Sequence, residues 1–189
     1  MHKGRLEAFS DAVIAILMTI MVLELRAPRG NTLEALRAVL PTLSCYVLSF
    51  VFLGIYWNNH HHMLQAAKQV NGAVLWANMH LLFWLSLIPF STDWMGAQGY
   101  AQWPVALYGA VLLMCGVAYT ILARTLIAAN GKDSTLAEAL GRDFKGNLSI
   151  AVYAIAIGVT WLNSQISCVL YGCVALMWLI PDRRIENRI

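Results

Sequence analysis

Three adjacent histidines are the residues of this sequence with the most evident capacity for chemistry. His60, His61 and His62 stand side by side, and His80 lies further along the chain. Imidazole is a common ligand of transition metals, so these side chains suggest a membrane metal or redox protein. Adjacent residues on a helix project about 100° apart, however, whereas zinc-binding histidines on one helix are four residues apart. We therefore expect no metal here, and we expect these imidazoles to make polar contacts with other side chains.

A serine and a carboxylate at the start of the first apolar segment are the next polar groups of interest. Ser10 and Asp11 precede a largely apolar run that extends to Leu23. A carboxylate at the edge of a membrane span is energetically costly and normally faces protein or water. Two roles remain open, namely hydrogen bonding to neighbouring helices and direct contact with a permeating ion. The candidate bonding partners are Trp57, His60, His61 and Asn78.

One face of the same segment carries a regular stripe of side chains. Ile16, Thr19, Ile20 and Leu23 follow the i, i+3, i+4, i+7 spacing of a single helix face. The stripe could pack against another helix of the same chain. Alternatively, copies from several subunits could meet around an axis and form a hydrophobic constriction that gates by dewetting. Spacing alone does not separate these two interpretations.

The cysteines offer little evidence of a site. Cys45, Cys115, Cys168 and Cys173 all lie in apolar stretches and show no CxxC spacing. We expect them to be small buried side chains that pack as apolar groups. Disulfides and metal-thiolate sites are the alternatives.

The composition indicates which class of protein must position these residues. The chain has 189 residues, of which 59% are hydrophobic and 12% are charged. An average soluble domain carries about twice that share of charge. The composition therefore excludes a disordered chain, an ordinary nucleic-acid-binding domain and most soluble enzymes, and it indicates an integral protein of the lipid bilayer.

Long stretches without charge predict the membrane spans. They run over 38–67, 69–92, 94–123 and 146–181. A helical span needs about 20 residues, so each of the first three fits one span. The last would be about 54 Å long as one helix, so it must fold back, and Asn163-Ser164-Gln165 is the expected turn. With the first segment this gives an all-α membrane protein of one domain over 1–189, with six helices at about 6–26, 36–59, 70–92, 103–127, 146–163 and 165–181.

Cap and turn residues suggest where some of these helices begin and end. Asn31 or Thr32 can cap the second helix. Pro89 and the polar cluster 91–93 are expected to end the third helix, and Pro104 to open the fourth. The polar stretch 134–144 is expected to be a connector.

The distribution of lysine and arginine predicts the orientation, because cytoplasmic loops carry an excess of both. Six spans place both termini on one side of the membrane. The basic residues on that side are Lys3, Arg5, Lys68, Arg124, Lys132, Arg142, Lys145, Arg183, Arg184 and Arg188, whereas the other side has Arg26, Arg29 and Arg37. Both termini are therefore predicted to be cytoplasmic, in a multi-pass protein of the inner (plasma) membrane.

Several well-known signatures are missing from the sequence. It contains no Walker A motif, no GxSxG, no HExxH and no TVGYG potassium filter. The paired, Gly/Pro-interrupted helices typical of secondary transporters are not evident, although a transporter remains an alternative. We expect neither an enzyme nor a cofactor.

A short motif provides a more specific indication. Residues 5–11, RLEAFSD, read RxxxFSD near the start of the first span. This resembles the signature of the transmembrane protein 175 family of potassium channels, in its single-domain prokaryotic form. Residues 56–61 are similar to that family's tryptophan–histidine segment at the end of helix two, and residues 75–78 and 87–90 resemble its third-helix patterns. The resemblance in sequence covers roughly residues 5–92. The remaining residues resemble the family in hydropathy only.

The resemblance implies a potassium-preferring channel assembled from four copies of the chain. The four first helices would line a central pore that conducts potassium without a carbonyl-lined filter. The family's narrowest apolar ring lies five residues after the FSD aspartate, which is Ile16 in this sequence. Further apolar rings would fall at Ile20 and Leu23, with a polar ring at Thr19 that contributes to selectivity.

The same resemblance assigns a bracing role to the motif itself. Arg5, Phe9, Ser10 and Asp11 occupy the positions that hold the first helix in place in the family. Ala12 stands where family members often have glycine. The expected partners of the chain are therefore copies of itself, the bilayer and potassium ions, with no nucleic acid.

Overall fold

The structure, a computed structural model, describes residues 3–131, 137 and 143–179. These residues form helices joined by short turns, and the described part contains no strand. The helices are α1 (Lys3–Leu23), α2 (Leu33–Ala66), α3 (Gly72–Ser86), α4 (Ile88–Ala97), α5 (Gln102–Asn130), α6 (Phe144–Val159) and α7 (Ser164–Leu179).

The lengths and compositions of these helices fit a membrane protein. α1, α2, α5 and the segment Gly72–Ala97, which comprises α3 and α4, are long and apolar enough to cross a bilayer. α6 and α7 are apolar but have 16 residues each. α2 has 34 residues, about 51 Å, and therefore exceeds the hydrocarbon thickness of about 30 Å. The predicted class, an all-helical protein with several apolar helices, is confirmed.

Helix α5 forms the centre of the described helices. In an apolar stretch of 18 residues within α5, 56% of the residues are buried, compared with 28% in the corresponding stretch of α1. It packs against α3 and α6, and the side chains of Tyr108, Leu112 and Cys115 are fully buried there. α1 instead lies at the periphery, where it packs against α2 and α3.

Gly109 allows a close approach between α5 and α7. A Cβ atom at this position would overlap the Tyr171 hydroxyl and would lie 2.9 Å from Cγ1 of Ile157. Tyr171 is fully buried, and its hydroxyl donates to the Val105 carbonyl at 3.3 Å. Glycine is therefore required by packing at this position.

Helix α2 begins directly after the predicted cap, three residues before the expected start at about 36, and it ends later than expected. The Thr32 hydroxyl accepts a hydrogen bond from the Ala35 amide at 3.3 Å, which confirms the predicted cap. The expected end at residue 59 is wrong, because the helix continues through the histidines to Ala66. Histidine is compatible with a helix interior, and the Lys3 ammonium donates to the Gln65 and Ala67 carbonyls at 3.2 Å at the true end.

A proline lies inside α2. Pro41 has no amide hydrogen and cannot complete the helical bonding pattern. The Ser44 hydroxyl donates to the Pro41 carbonyl at 2.8 Å, and the Tyr100 hydroxyl donates to it at 3.3 Å. Tyr100, in the turn between α4 and α5, adopts a positive φ of 64°.

The predicted end of the third helix is also wrong. α3 ends at Ser86, and α4 starts at Ile88 and continues to Ala97. Proline is tolerated in the first turn of a helix, so Pro89 lies within α4 rather than ending a helix. The Ser91 and Thr92 hydroxyls donate to the Ile88 carbonyl at 3.1 and 2.6 Å, which satisfies these polar groups inside the helix.

The fold-back in the last apolar stretch is confirmed. α6 ends at Val159, and α7 starts at Ser164. The Asn163 side-chain oxygen accepts from the Gln165 amide at 2.9 Å, as expected of an asparagine that caps a helix. The two predicted helices, 146–163 and 165–181, are thus observed as 144–159 and 164–179. Residues 180–181 and most of the predicted connector 134–144 lie outside the described residues.

Candidate functional site

Helix α1 has two faces with different environments. Five buried residues recur every three or four positions on the side of α1 that contacts the other helices, namely Leu6, Ser10, Ile14, Leu17 and Met21. The stripe at positions 16, 19, 20 and 23 lies on the other side. Its apolar members are exposed by 54%, 40% and 78% of their surface at Ile16, Ile20 and Leu23. The stripe is therefore turned away from the described helices of its own chain.

Thr19 is the polar residue within this exposed face. Its hydroxyl donates to the Ile16 carbonyl at 2.9 Å. Because the hydroxyl hydrogen is used within α1, the lone pairs of the oxygen remain available on the exposed side. The face thus combines apolar side chains with one hydroxyl oxygen.

A buried chain of hydrogen bonds joins α1 to α3 and α2. The Asn78 side-chain amide donates to the Ser10 hydroxyl at 2.9 Å, and Ser10 donates to the Leu6 carbonyl at 2.9 Å. The Asn78 oxygen lies 2.7 Å from Nε2 of His60. An amide oxygen can only accept, so His60 donates through Nε2. All three polar side chains are buried, and the network fixes the packed face of α1.

A second contact attaches α1 to α2 at a point nearer the exposed face of α1. The Trp57 indole donates to Oδ1 of Asp11 at 3.1 Å, and the same indole stacks on the His61 ring at 6.0 Å between centroids. Among the described residues, no histidine bonds directly to Ser10 or Asp11. Asn78 on α3 bonds to Ser10, and Trp57 on α2 bonds to Asp11.

The RxxxFSD motif is divided between the two sides of α1. Ser10 and Asp11 bond to α3 and α2, as described above. Arg5 is exposed, and Phe9 is 48% exposed, so both project away from the interior of the protomer. Lys3, which the sequence analysis did not single out as a functional residue, ties the start of α1 to the end of α2 and pairs with Glu7 at 3.6 Å.

The histidines point in different directions. His60 is buried, His61 is exposed and His62 is half-buried. Nε2 of His80 accepts from the Trp84 indole at 2.9 Å. In the part of the chain that the structure describes, no group of three or more His, Cys, Asp or Glu side chains could hold a metal ion.

Asn130, the last residue of α5, makes a long-range structural contact. Its side-chain oxygen accepts from the Lys68 and Gln69 amides at 2.7 and 2.8 Å. Its amide donates to the Gln69 and Leu126 carbonyls at 3.0 and 2.9 Å. The connection between α2 and α3 is thereby attached to the end of α5, and no local sequence signal predicts this long-range clamp.

These features define a multi-pass helical membrane protein with a peripheral first helix that is apolar on its free face. Residues 5–89 match the family model described as endosomal/lysosomal potassium channel TMEM175. A protein named potassium channel from Chryseobacterium sp. (strain P1-3) is 52% identical over 99% of this chain and 97% of its own length. Another, from Streptomyces collinus, is 28% identical over 94% of this chain and 91% of its own length.

A solved structure shows the same fold. It is the crystal structure of a lysosomal potassium-selective channel TMEM175 homolog from Chamaesiphon minutus, which is 22% identical with a TM-score of 0.81. The match covers 94% of this chain and 96% of the other. The chain belongs to the TMEM175 family of potassium channels, in agreement with the resemblance carried by RxxxFSD.

Proposed function

We propose that this chain forms a potassium-preferring cation channel in which four subunits surround a central pore lined by their α1 helices. The observation that carries the proposal is the free face of α1, where Ile16, Ile20 and Leu23 are exposed while the opposite face is packed. Relatives at 52% and 28% identity are named potassium channels, which supports the same activity for this chain.

Each subunit would cross the inner (plasma) membrane six times. The spans are α1, α2, the α3–α4 pair, α5, α6 and α7. α6 and α7 are each about 24 Å long, and local thinning of the bilayer accommodates a span somewhat shorter than the hydrocarbon core. Six spans place both termini on one side, and the excess of lysine and arginine there makes that side cytoplasmic.

The free face of α1 supplies the barrier and the selectivity. Rings of Ile16, Ile20 and Leu23 offer no ligands, so a narrow pore at their level excludes water and ions. When the helices move apart, the gap fills with water and conducts. Potassium holds its hydration shell less tightly than sodium, so a mostly apolar neck disfavours sodium. Thr19 oxygens replace part of the water that the ion loses.

Residues of the first-helix motif brace this arrangement. Ser10 and Asp11 are held by the bonds to Asn78 and Trp57, and His60 supports Asn78. His61 stacks on Trp57. Arg5 and Phe9 complete the bracing motif from the outward side of α1. These residues position the helix and do not contact the ion.

Ion flux into liposomes that contain the purified protein tests the proposal. A potassium gradient and a matched sodium gradient are imposed in turn, with a proton-linked dye as the readout. We expect rapid potassium-dependent flux that exceeds the sodium flux and does not saturate as the flux of a transporter would. Saturable uptake that requires a second, coupled ion would contradict a channel and favour a secondary transporter.

A further inference from the structure

Three sulfur-containing side chains from three different helices line a single cavity. Cys45 on α2, Met95 on α4 and Cys168 on α7 all border this space of about 300 Å³. Cys45 and Met95 are buried, and Cys168 is half-buried. The two cysteines are far apart in the sequence, and only the packing of α2 against α7 brings them together.

Polar side chains also border this cavity. Tyr100 and Gln165 border the same space. The Tyr100 hydroxyl bonds with Ser44 and donates to the Pro41 carbonyl.

This donor set favours a particular class of ion. Thiolate and thioether sulfurs are soft ligands that select Cu(I), whereas carboxylate, carbonyl and water oxygens suit hard ions. Potassium belongs to the hard ions, so the cavity does not suit the permeant ion of the proposed channel. The residues instead fit a soft, monovalent metal ion that accepts a low number of sulfur ligands.

We propose that the cavity bordered by Cys45, Met95 and Cys168 is a binding site for Cu(I). One of the two thiols releases its proton to solvent when the ion binds, because coordination deprotonates a thiol. The thiolate and the monovalent ion then form a neutral pair, which suits a low-dielectric interior. The second thiol and the Met95 thioether complete the coordination as neutral sulfur ligands.

The other two cysteines provide matched controls. Cys115 is buried in α5, and Cys173 is exposed on α7, and neither borders this cavity. A variant with Cys115→Ala and Cys173→Ala keeps both cavity thiols. A variant with Cys45→Ala and Cys168→Ala keeps the same number of thiols but removes both from the cavity.

Anaerobic competition with a chromophoric Cu(I) chelator tests the proposal on the purified, reduced full-length protein. We expect the wild type and the Cys115→Ala/Cys173→Ala variant to remove one Cu(I) per chain from the chelator. We expect the Cys45→Ala/Cys168→Ala variant to remove none, and Met95→Leu to bind more weakly. The chelator is chosen to bind Cu(I) more tightly than a single exposed thiol does.

Two results would overturn the site. One is a wild-type protein that leaves all Cu(I) with the chelator. The other is equal uptake by the two double variants when both elute as the wild type does in size-exclusion chromatography. If the cavity variant fails to fold, Met95→Leu decides the matter, since unchanged affinity in that variant contradicts the proposed sulfur site. None of these measurements depends on ion conduction.

Discussion

The side-chain amide of Asn78 donates a 2.9 Å hydrogen bond to the Ser10 hydroxyl, and both side chains are fully buried. Asn78 also accepts from His60, so a single residue of α3 connects the first helix to the second. Buried polar groups need such partners, because an unsatisfied group is costly in an apolar interior. The network therefore fixes which face of α1 packs against the protomer and which remains free.

Loss of the Ser10 hydroxyl should destabilise the protein. Ser10→Ala leaves the Asn78 amide without its acceptor, and we expect a loss of about 1–2 kcal/mol in the free energy of unfolding. Thermal unfolding in detergent measures the effect. Ser86→Ala is the control, because that hydroxyl is exposed and bonds only to the Phe83 carbonyl of its own helix. Equal stability of the two variants would contradict the role of the buried network.

The contact between Trp57 and Asp11 should influence conduction more than folding. Trp57→Phe and Asp11→Ala each remove the bond that holds α1 to α2 near its free side. We expect both to reduce potassium flux in liposomes. Asp11→Asn should retain most of the flux, since the amide keeps an oxygen acceptor. Trp76→Phe, at a tryptophan that is 79% exposed, should not change the flux.

Ile16 should determine the barrier to ions. Ile16→Asn places polar groups at the proposed constriction, which would favour water in the closed pore. We expect sodium flux to rise by about tenfold, which corresponds to a barrier lower by about 1.4 kcal/mol. Val22→Asn is the matched control, since Val22 is 47% exposed but lies about 120° from Ile16 around α1. An equal rise in both variants would remove Ile16 from the gate.

The Thr19 hydroxyl should contribute to the preference for potassium. Thr19→Val keeps the shape of the side chain but removes the oxygen, so the ratio of potassium to sodium permeability should fall towards unity. Thr19→Ser keeps the oxygen and should retain the ratio. Reversal potentials under mixed-ion conditions measure the ratio in planar bilayers. A valine variant with unchanged selectivity would show that the hydroxyl does not act on the ion.

Gly109 should not tolerate a methyl group. In Gly109→Ala the Cβ atom meets the Tyr171 hydroxyl and Ile157, and we expect a loss of about 1–3 kcal/mol in stability from overpacking. Gly158→Ala is the control, because its Cβ atom meets nothing within 4 Å and alanine favours the helix. Thermal unfolding that ranks Gly109→Ala as no less stable than Gly158→Ala would contradict the observed packing.

The sequence predicts the helices better than their ends. Charge-free stretches place the apolar segments, because a charge within hydrocarbon is costly wherever it occurs. The ends depend on contacts that local patterns do not encode. Pro89 looks like a helix terminator, yet it lies in the first turn of α4. The histidines look like the end of α2, yet burial of His60 and the contacts of Lys3 extend that helix to Ala66.

For the candidate pore face too, the local sequence pattern predicts one part and long-range packing determines the rest. Helical spacing identifies the stripe at positions 16, 19, 20 and 23, but only the packing of α1 shows that this side is free. The sequence offers four candidate partners for Ser10 and Asp11. Two of them form direct bonds, Asn78 to Ser10 and Trp57 to Asp11. The clamp made by Asn130 depends on residues about sixty positions away and has no local signature.

Cysteine accessibility during conduction tests most directly whether the free face of α1 lines the ion path. Leu23→Cys and Met21→Cys are recorded in planar bilayers before and after a charged, water-soluble thiol reagent is added, with the wild type as the reference for the native cysteines. We predict block of the potassium current in Leu23→Cys, because that side chain is 78% exposed, and no block in Met21→Cys, which is 3% exposed. A conducting Leu23→Cys channel that reacts no more than Met21→Cys would contradict the account.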